Sequence, residues 1–292
     1  MEIRQTNQQI VLNLLKLATF LLFAGRAWQH LFWDAPFRAL LWDQQWMEGI
    51  IHFFSGGTWQ EYVTSEKADH AIGMITLGFG IFYSLMAILT LFVSEKFKRV
   101  QWLYIVASVA LFFLAFLYTK EKFYHVGQFL EYSIQFSLPV LFIMAVRREL
   151  DFDRLKLLLK ITIALTFSAH GLYAIGVYPQ PGAFVDMVIN VFHINEAAAK
   201  VFLKVAGVLD FVIAVAIFIP RVSRIALLYA IIWGGLTALA RTWANFYWSF
   251  PLDSLHQHLY ETLYRLPHML VPMAAYFLSL RSEKQPKGTR KN

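Results

Sequence analysis

An acid, a guanidinium and an imidazole follow one another along the last apolar stretch of this 292-residue chain, at Glu261, Arg265 and His268. Steps of three or four residues put side chains on the same face of a helix. A carboxyl group and an imidazole that share a face with a fixed positive charge can take up and release protons. The sequence therefore predicts that these three residues handle protons.

Seven further polar residues lie inside apolar stretches, where an ionisable group is costly unless it has a partner or a function. They are candidate ligand-binding residues: Arg26, His30, Glu131, His170, Asp210, Arg241 and His258. Arg26 and His30 share a helix face, although Arg26 is also near enough to a span end to reach the lipid headgroups. Asp210, near mid-membrane, is expected to pair with Arg241 or Arg265 or to be protonated. Together they predict one polar cavity, lined by both halves of the chain.

The spacing of His258 and Glu261 is one that binds metal ions in helical bundles. That arrangement normally uses a second such pair, and the corresponding Gln128 and Glu131 are a poor donor set. Arg265 on the same face would also repel a cation, so we expect no metal site. Cysteine is absent, which removes disulfides, thiolate nucleophiles and cysteine-ligated metal centres. Any redox chemistry therefore needs a bound cofactor or a partner protein.

Eight apolar stretches of about 20 residues occupy most of the chain, and a bilayer-spanning helix needs about that length. The composition agrees, because 58% of the residues are hydrophobic and 15% are charged, against roughly 25% charged residues in soluble domains. The first residues are polar rather than strongly basic, so we expect no cleavable signal peptide. The sequence predicts an all-α polytopic membrane protein with eight transmembrane helices, at roughly 10–32, 70–93, 100–118, 126–146, 157–178, 197–219, 225–248 and 260–280.

The loops between the stretches alternate in basic content. If the spans alternate in direction, every basic cluster lies on one side of the membrane, and that side is cytoplasmic by the positive-inside rule. We therefore expect both termini in the cytoplasm; the family resemblance described below then implies the bacterial inner membrane. The net charge of +7 then reflects topology, so the lipid bilayer rather than nucleic acid is the expected partner. The clusters comprise Lys96, Lys98, Arg99, Arg147, Arg148, Arg154, Lys156, Arg221, Arg224 and the basic residues of 281–292.

The chain reads as two four-helix units, 1–149 and 150–280, followed by a basic cytoplasmic tail at 281–292. The fourth stretch of each half has polar residues at the same spacing: Gln128, Glu131 and Gln135, then His258, Glu261 and Arg265. An even number of spans in each half makes the repeats parallel, related by an axis along the membrane normal. We therefore predict two parallel four-helix repeats, in which Glu131 is equivalent to Glu261.

A segment between the first two stretches, 35–57, has apolar residues at roughly helical spacing with Arg38, Asp43 and Glu48 interleaved. This pattern is typical of an amphipathic helix that lies at the outer membrane interface. A re-entrant hairpin is the alternative. In the second half, 182–192 is predicted to be a shorter counterpart.

Short motifs in the second half invite comparison with a known family. Between residues 158 and 241 the chain contains His170-Gly171-Leu172-Tyr173, a Pro/Gly segment with Phe184, Gly207-Val208-Leu209-Asp210, and a turn with Arg221 and Arg224. This stretch resembles the DoxX family of bacterial four-span membrane proteins, which often have Gly-x-x-Glu where this chain has Asp210. The first half has the same layout, with Arg26-Ala27 in place of His-Gly. The resemblance implies a fused pair of DoxX-like units.

The DoxX family is associated with membrane redox systems, including quinone-linked thiosulfate oxidation. The resemblance therefore implies a redox-associated protein that binds a quinone or other apolar carrier in an outward-facing polar cavity and works with a redox partner protein. Two alternatives stay open. One is a transporter or binder of a small anionic molecule or lipid, held by Arg26, Arg241 and Arg265. The other is a non-catalytic scaffold that docks partners on 35–57.

The predicted orientation can be tested with topology reporters. A reporter fused after Asn292 should be active in the cytoplasm, and one inserted beside Gly57 should be active outside, because the basic loops remain on the cytoplasmic side. Paired fusions to a reporter that works only inside and one that works only outside provide the measurement. The reverse pattern would overturn the orientation.

Overall fold

The computed structural model describes residues 2–147 and 151–281, and within them the chain is helical, with no β-strand. The all-α fold expected from the sequence is thus confirmed, whereas Arg148 and the tail at 282–292 lie outside the described residues. The α-helices are α1 (Glu2–Phe32), α2 (Arg38–Leu41), α3 (Gln44–Ser55), α4 (Trp59–Val63), α5 (Glu66–Phe92), α6 (Trp102–Glu121), α7 (Val126–Glu131), α8 (Ser133–Val146), α9 (Phe152–Ile175), α10 (Gly182–Phe192), α11 (Glu196–Ala216), α12 (Ser223–Trp243), α13 (Pro251–Arg265) and α14 (Pro267–Arg281).

Long apolar helices dominate this fold. Large apolar side chains on their outer faces are exposed; on α5, for example, Ile81, Leu85 and Ile88 are each more than half exposed. Rows of such side chains are costly in water but not in lipid hydrocarbon. The architecture is that of a helical, multi-pass membrane protein. Six segments are long and apolar enough to cross a membrane: Asn7–Phe32, Glu66–Phe92, Lys98–Glu121, Val126–Val146, Phe152–Ile175 and Ser223–Trp243.

The other two predicted spans correspond to helices of a different kind. α11 is 21 residues long, but it contains the charged residues Glu196, Lys200, Lys204 and Asp210. The last stretch is divided between α13 and α14, each of 15 residues. Within the described residues, length and hydropathy therefore identify six spans rather than eight.

The last helix of each half is broken. In the first half, α7 ends at Glu131 and α8 begins after Tyr132; in the second, α13 ends at Arg265 and α14 begins at Pro267. Proline has no backbone N–H and is favoured at the first position of a helix, which explains the second break. Glu131 and Arg265 occupy the same position relative to the break, because each is the last residue of the helix before it. Glu261 precedes this position by about one helical turn.

The first helix of each half packs against the broken helix of the other half. α1 lies along α5, and α9 lies along α11. Across the halves, α1 contacts α13 and α14, whereas α9 contacts α7 and α8. The third long helices, α6 and α12, pack on the broken helix of their own half. Both breaks therefore face the centre of the bundle.

Glycines permit the closest helix crossings. Gly171 of α9 faces Gly207 of α11, and a Cβ on Gly207 would lie 3.0 Å from the Gly171 carbonyl oxygen. Gly25 of α1 lies against α13, where a Cβ would be 2.7 Å from the Tyr264 nitrogen and 2.8 Å from the Tyr260 oxygen. Small residues at such crossings let the backbones of membrane helices approach each other. These crossings fix how α9 meets α11 and how α1 meets the second half.

The segment 35–57 forms two helices, α2 and α3, rather than one. The Asp43 carboxylate caps the first turn of α3 and pairs with Lys120 at the end of α6. The hydrogen bond from Lys120 lowers the pKa of the Asp43 carboxyl group. Phe53 and Phe54, near the end of α3, are each 81% exposed, so this helix presents an unpacked apolar face. The shorter helix predicted in the second half is α10.

Gly25→Ala should destabilise the protein, because the added methyl group would overlap backbone atoms of α13 at the contact between the halves. We expect a loss of about 1–3 kcal/mol in the free energy of unfolding, measured by denaturant unfolding in detergent. Gly78→Ala on α5 is the matched control, since its Cβ would have no neighbour within 4 Å. Equal stability of the two variants would contradict the close crossing.

Candidate functional site

Charged side chains from both halves meet at the helix breaks. Oε1 of Glu131 lies 3.5 Å from Nη2 of Arg265 and 3.6 Å from Nε2 of His170. On the other side of the carboxylate, Gln128 donates to Oε2 at 3.4 Å. Glu131 is only 7% exposed, and a carboxylate buried this deeply needs a charged or hydrogen-bonding partner. The halves are therefore joined by an ion pair between Glu131 and Arg265.

Both charged residues lie at helix breaks. Glu131 is the last residue of α7 and Arg265 is the last residue of α13, and the next helix begins two residues later in each case. The two helix ends at a break carry partial charges of opposite sign, so the ion pair is stabilised by the contact between the two side chains rather than by either helix end.

Glu261 and Arg241 extend this cluster along α13 and α12. Oε2 of Glu261 is 3.7 Å from Nη1 of Arg265 and 3.8 Å from Nη1 of Arg241. These separations are longer than hydrogen bonds. Glu261 is also the more accessible acid, with 26% of its side chain exposed against 9% for Glu131. The proton-handling candidates Glu261 and Arg265 thus lie together, with Arg241 beside them.

His268, the third of these candidates, is oriented by the break. Pro267 interrupts the helical hydrogen bonding, and the Arg265 carbonyl oxygen lies 2.7 Å from Nδ1 of His268. A carbonyl oxygen only accepts, so Nδ1 carries the hydrogen. The opposite ring nitrogen, Nε2, is buried and has no hydrogen-bond partner. The His268 ring centre is 5.6 Å from that of His170, which brings two imidazoles to one place.

A cavity of about 800 Å³ opens beside the cluster. All of its lining residues come from the second half, so the expectation that both halves line the cavity is wrong. Most of the wall is apolar, and a large part is aromatic, including Phe184, Phe202, Trp233 and Trp243. The titratable and charged residues in the wall are His170, Asp210, Arg241, Arg265 and His268. The predicted polar cavity is thus an apolar cavity with a few polar side chains.

Three cavity-lining residues have a buried polar atom without a hydrogen-bond partner: Oδ1 of Asp210, Nη1 of Arg265 and Nε2 of His268. Buried polar atoms are nearly always hydrogen-bonded in folded proteins. Leaving one unsatisfied costs about 1–3 kcal/mol. Three such atoms around one cavity indicate a space suited to a molecule with polar groups of its own.

Asp210 does not make the pairing expected from the sequence. It is 2% exposed and forms no ion pair with Arg241, Arg265 or any other cation among residues 2–147 and 151–281. Trp233 and Tyr229 of α12 are polar side chains near it. The two residues lie at different depths in the bundle. α11 begins at the end of the bundle where α12 terminates, and Asp210 lies roughly 20 Å from that end. Arg241 lies within the last turn of α12, close to that end.

Arg26 is completely buried, so the alternative in which it reaches the lipid headgroups is wrong. Its Nη1 donates to Oε1 of Gln29 at 2.6 Å, and its Nε and Nη2 donate to Oε1 of Gln135 at 3.2 and 2.5 Å. In the part of the chain that the structure describes, the guanidinium has no carboxylate partner. Arg26 is therefore held by neutral amides and does not line the cavity.

Tyrosines complete the surroundings of Arg26. Its Cζ lies 3.9 Å from the ring centre of Tyr264, 5.2 Å from that of Tyr132 and 5.7 Å from that of Tyr118. The Tyr264 ring also lies 4.8 Å from Cζ of Arg265, so one ring contacts two guanidinium groups. Sequence reasoning missed these tyrosines, because aromatic residues are ordinary in membrane helices. The usable signal was that Tyr132 and Tyr264 directly adjoin the charged residues at the breaks.

Two other predicted site residues lie away from the cluster. His30 is buried, with Nδ1 2.7 Å from the Arg26 carbonyl oxygen and its ring against Tyr83. His258 offers its backbone carbonyl to Thr242 at 3.2 Å, and its imidazole joins no ion pair within the described ranges. Among those residues, no three His, Asp or Glu side chains are arranged to hold a metal ion.

In comparisons with known proteins, the chain matches no protein-family model, no curated protein and no solved structure. The resemblance to the DoxX family therefore rests on its short motifs and stays a prediction. What the site can do must be argued from its own geometry.

Glu131→Ala should lower the free energy of unfolding by about 3 kcal/mol, because removing one partner of a buried ion pair leaves Arg265 uncompensated. Glu261→Ala should cost less, since Glu261 is more accessible and Arg265 retains Glu131. Replacing Glu131 by Leu and Arg265 by Met together should recover part of the loss. Denaturant unfolding in detergent measures all three variants. A larger loss for Glu261→Ala than for Glu131→Ala would contradict this assignment.

Proposed function

We propose that this protein binds an amphiphilic molecule of the membrane, a quinone or a similar apolar carrier, in the cavity formed by α9 to α14. The observation that carries the proposal is the apolar, largely aromatic wall combined with the three unpartnered polar atoms. Ligand cavities are typically about 300–1,000 Å³, mostly apolar, with a few polar groups that fix orientation. A cavity of about 800 Å³ falls within that range.

The polar end of the cavity suits a head with oxygen atoms. Arg265 and Arg241 can donate hydrogen bonds, and Nη1 of Arg265, although in an ion pair with Glu261, has no hydrogen-bond partner among the described residues. In a neutral His268 ring, Nε2 accepts a hydrogen bond, because Nδ1 is the protonated nitrogen. Such a head can therefore accept from a guanidinium and donate to an imidazole. Carbonyl and hydroxyl oxygens on a ring have this combination.

A redox role follows from the titratable groups at this end. When bound, a quinone supplies reversible uptake of electrons together with protons. His170 and His268 line the cavity and can exchange protons with its occupant. Glu131 holds His170 and Arg265 in place, and Glu261 is the accessible acid from which protons can be exchanged with the outside. Electron transfer would need a redox partner protein.

The proposal includes the architecture expected from the sequence. We infer eight spans, in which α11 and the pair α13 and α14 complete the six apolar segments, and two parallel repeats of DoxX-like type. Support comes from the helix contacts, since α9 lies on α11 as α1 lies on α5, and from the matching breaks in the fourth helices. The basic loops favour a bacterial inner membrane and cytoplasmic termini.

A specific observation favours a second candidate, an anionic head. Arg241 and Arg265 line the cavity, and their nitrogens lie 3.5–3.8 Å from the carboxylate oxygens of Glu131 and Glu261, longer than ordinary hydrogen bonds. A fatty acid or a lipid phosphate in the cavity would accept hydrogen bonds from these two guanidinium groups. This would make the protein a binder or carrier of an anionic lipid.

Binding can be measured by quenching of tryptophan fluorescence in detergent-purified protein, with decyl-ubiquinone and dodecyl phosphate as probes. His268→Leu should weaken binding of decyl-ubiquinol, the reduced form of the first probe, on the order of tenfold, because its hydroxyl group loses the hydrogen bond to Nε2. His258→Leu, on the preceding helix, is the matched control and should bind normally.

The two probes separate the candidates. Tighter binding of decyl-ubiquinone supports the quinone-type carrier, and mass spectrometry of gently purified protein should then find a co-purifying quinone. Preference for dodecyl phosphate supports the anionic lipid. If neither probe binds, or if both variants bind like the parent, the proposed cavity function is wrong.

A further inference from the structure

We propose that Asp210 is a second binding point in this cavity, at which a protonated carboxyl group donates a hydrogen bond to a carbonyl oxygen of the ligand. The proposal rests on the proposed function, since it requires an occupied cavity. It narrows the ligand to an apolar molecule with two separate polar oxygens. One oxygen accepts a hydrogen bond from Arg265, and the other accepts one from Asp210. A ring with two opposed carbonyl groups has this chemistry.

The surroundings of Asp210 differ from those of the other buried acids. Glu261 contacts two guanidinium groups, and Glu131 contacts the Arg265 guanidinium and the His170 imidazole, whereas Asp210 forms no ion pair among the described residues. Most side chains of the cavity wall are apolar or aromatic, and Trp233 is the one that can donate a hydrogen bond to Asp210. An ionised carboxylate in such a place has nothing to balance its charge.

A protonated carboxyl group suits this place. It is a donor through its O–H and keeps acceptor capacity on its other oxygen. A carboxylic acid held neutral by apolar surroundings can serve as a hydrogen-bond donor to an oxygen of the ligand. Trp233 can satisfy one oxygen of Asp210, and Oδ1, which lacks any partner, is left for the ligand.

The backbone holds Asp210 in a fixed position. Gly207 lies one helical turn before it, where α11 crosses α9 at Gly171 with the two backbones almost in contact. α11 therefore cannot rotate to carry Asp210 out of the wall without opening that crossing. The carboxyl group is 2% exposed and lines the cavity, which matches a group built to meet an occupant.

The test compares three variants in the full-length, detergent-purified protein with decyl-ubiquinone as the probe. Asp210→Asn keeps a neutral donor of the same shape and should bind within about threefold of the parent. Asp210→Leu keeps the branching at Cγ, although the side chain is larger, and has no donor; it should bind on the order of tenfold more weakly. Asp186→Leu, at an exposed acid on α10, is the control and should bind normally. Circular dichroism and gel filtration confirm that each variant is folded.

Infrared spectroscopy provides a second readout that does not depend on affinity. The carbonyl stretching band of a protonated carboxyl group should be present in the parent, shift when decyl-ubiquinone is added, and be missing from Asp210→Asn. Absence of the band from the parent would overturn the proposal, and this measurement remains valid even if Asp210→Leu fails to fold.

Each binding outcome is decisive. If Asp210→Asn loses as much affinity as Asp210→Leu, the carboxyl group acts as an anion and the proposal is wrong. If Asp210→Leu binds like the parent, Asp210 does not touch the ligand, which is also contrary to the proposal. Binding of dodecyl phosphate without binding of decyl-ubiquinone would leave the cavity function standing and overturn this inference alone.

Discussion

A carboxylate and a guanidinium cannot remain apart inside a lipid bilayer without a large cost, and the contact between Glu131 and Arg265 resolves that constraint for both halves of the chain. Each residue belongs to the broken helix of its own half, and each lies at the break. The pairing requires the two breaks to face each other. That requirement explains why the first helix of one half packs on the broken helix of the other, and why glycine is needed where α1 meets α13.

In both halves, a side chain of the first helix contacts the helix break of the other half, but the two side chains differ. On α1, Arg26 lies against Tyr264 at the second break; on α9, His170 lies against Glu131 at the first break. Arg26 is long, and with the amides and tyrosines around it the space in the first half is filled. The imidazole of His170 is shorter and leaves room, and the cavity opens on its side of the bundle. The space beside Arg26 in the first half is thus filled, whereas the second half encloses a cavity.

Hydropathy located helices at all eight predicted stretches, because apolar length depends on local sequence alone. Charged and polar residues inside those stretches also identified most members of the site. The sequence did not predict which of these charged residues contact each other. Asp210 was expected to pair with an arginine, but its depth along α11 separates it from Arg241. The break at Tyr132 has no proline or glycine to announce it. The position of the cavity in one half depends on how Arg26 and the tyrosines pack in the other half. The spacing of residues along the sequence does not predict that packing.

The ion pair between the halves has a consequence for how the protein is made. Glu131 and Arg265 are 134 residues apart in the sequence. At typical synthesis rates of about 5–20 residues per second, Glu131 is produced roughly 7–27 seconds before its partner exists. During that interval the first half must carry its carboxylate with Gln128 alone, or neutralised by a proton, in or beside the bilayer. His170 emerges earlier than Arg265, so it is the first residue able to contact Glu131. The order of residues along the chain thus makes the imidazole the first possible partner of the acid, and Arg265 joins it when the last helix completes the bundle.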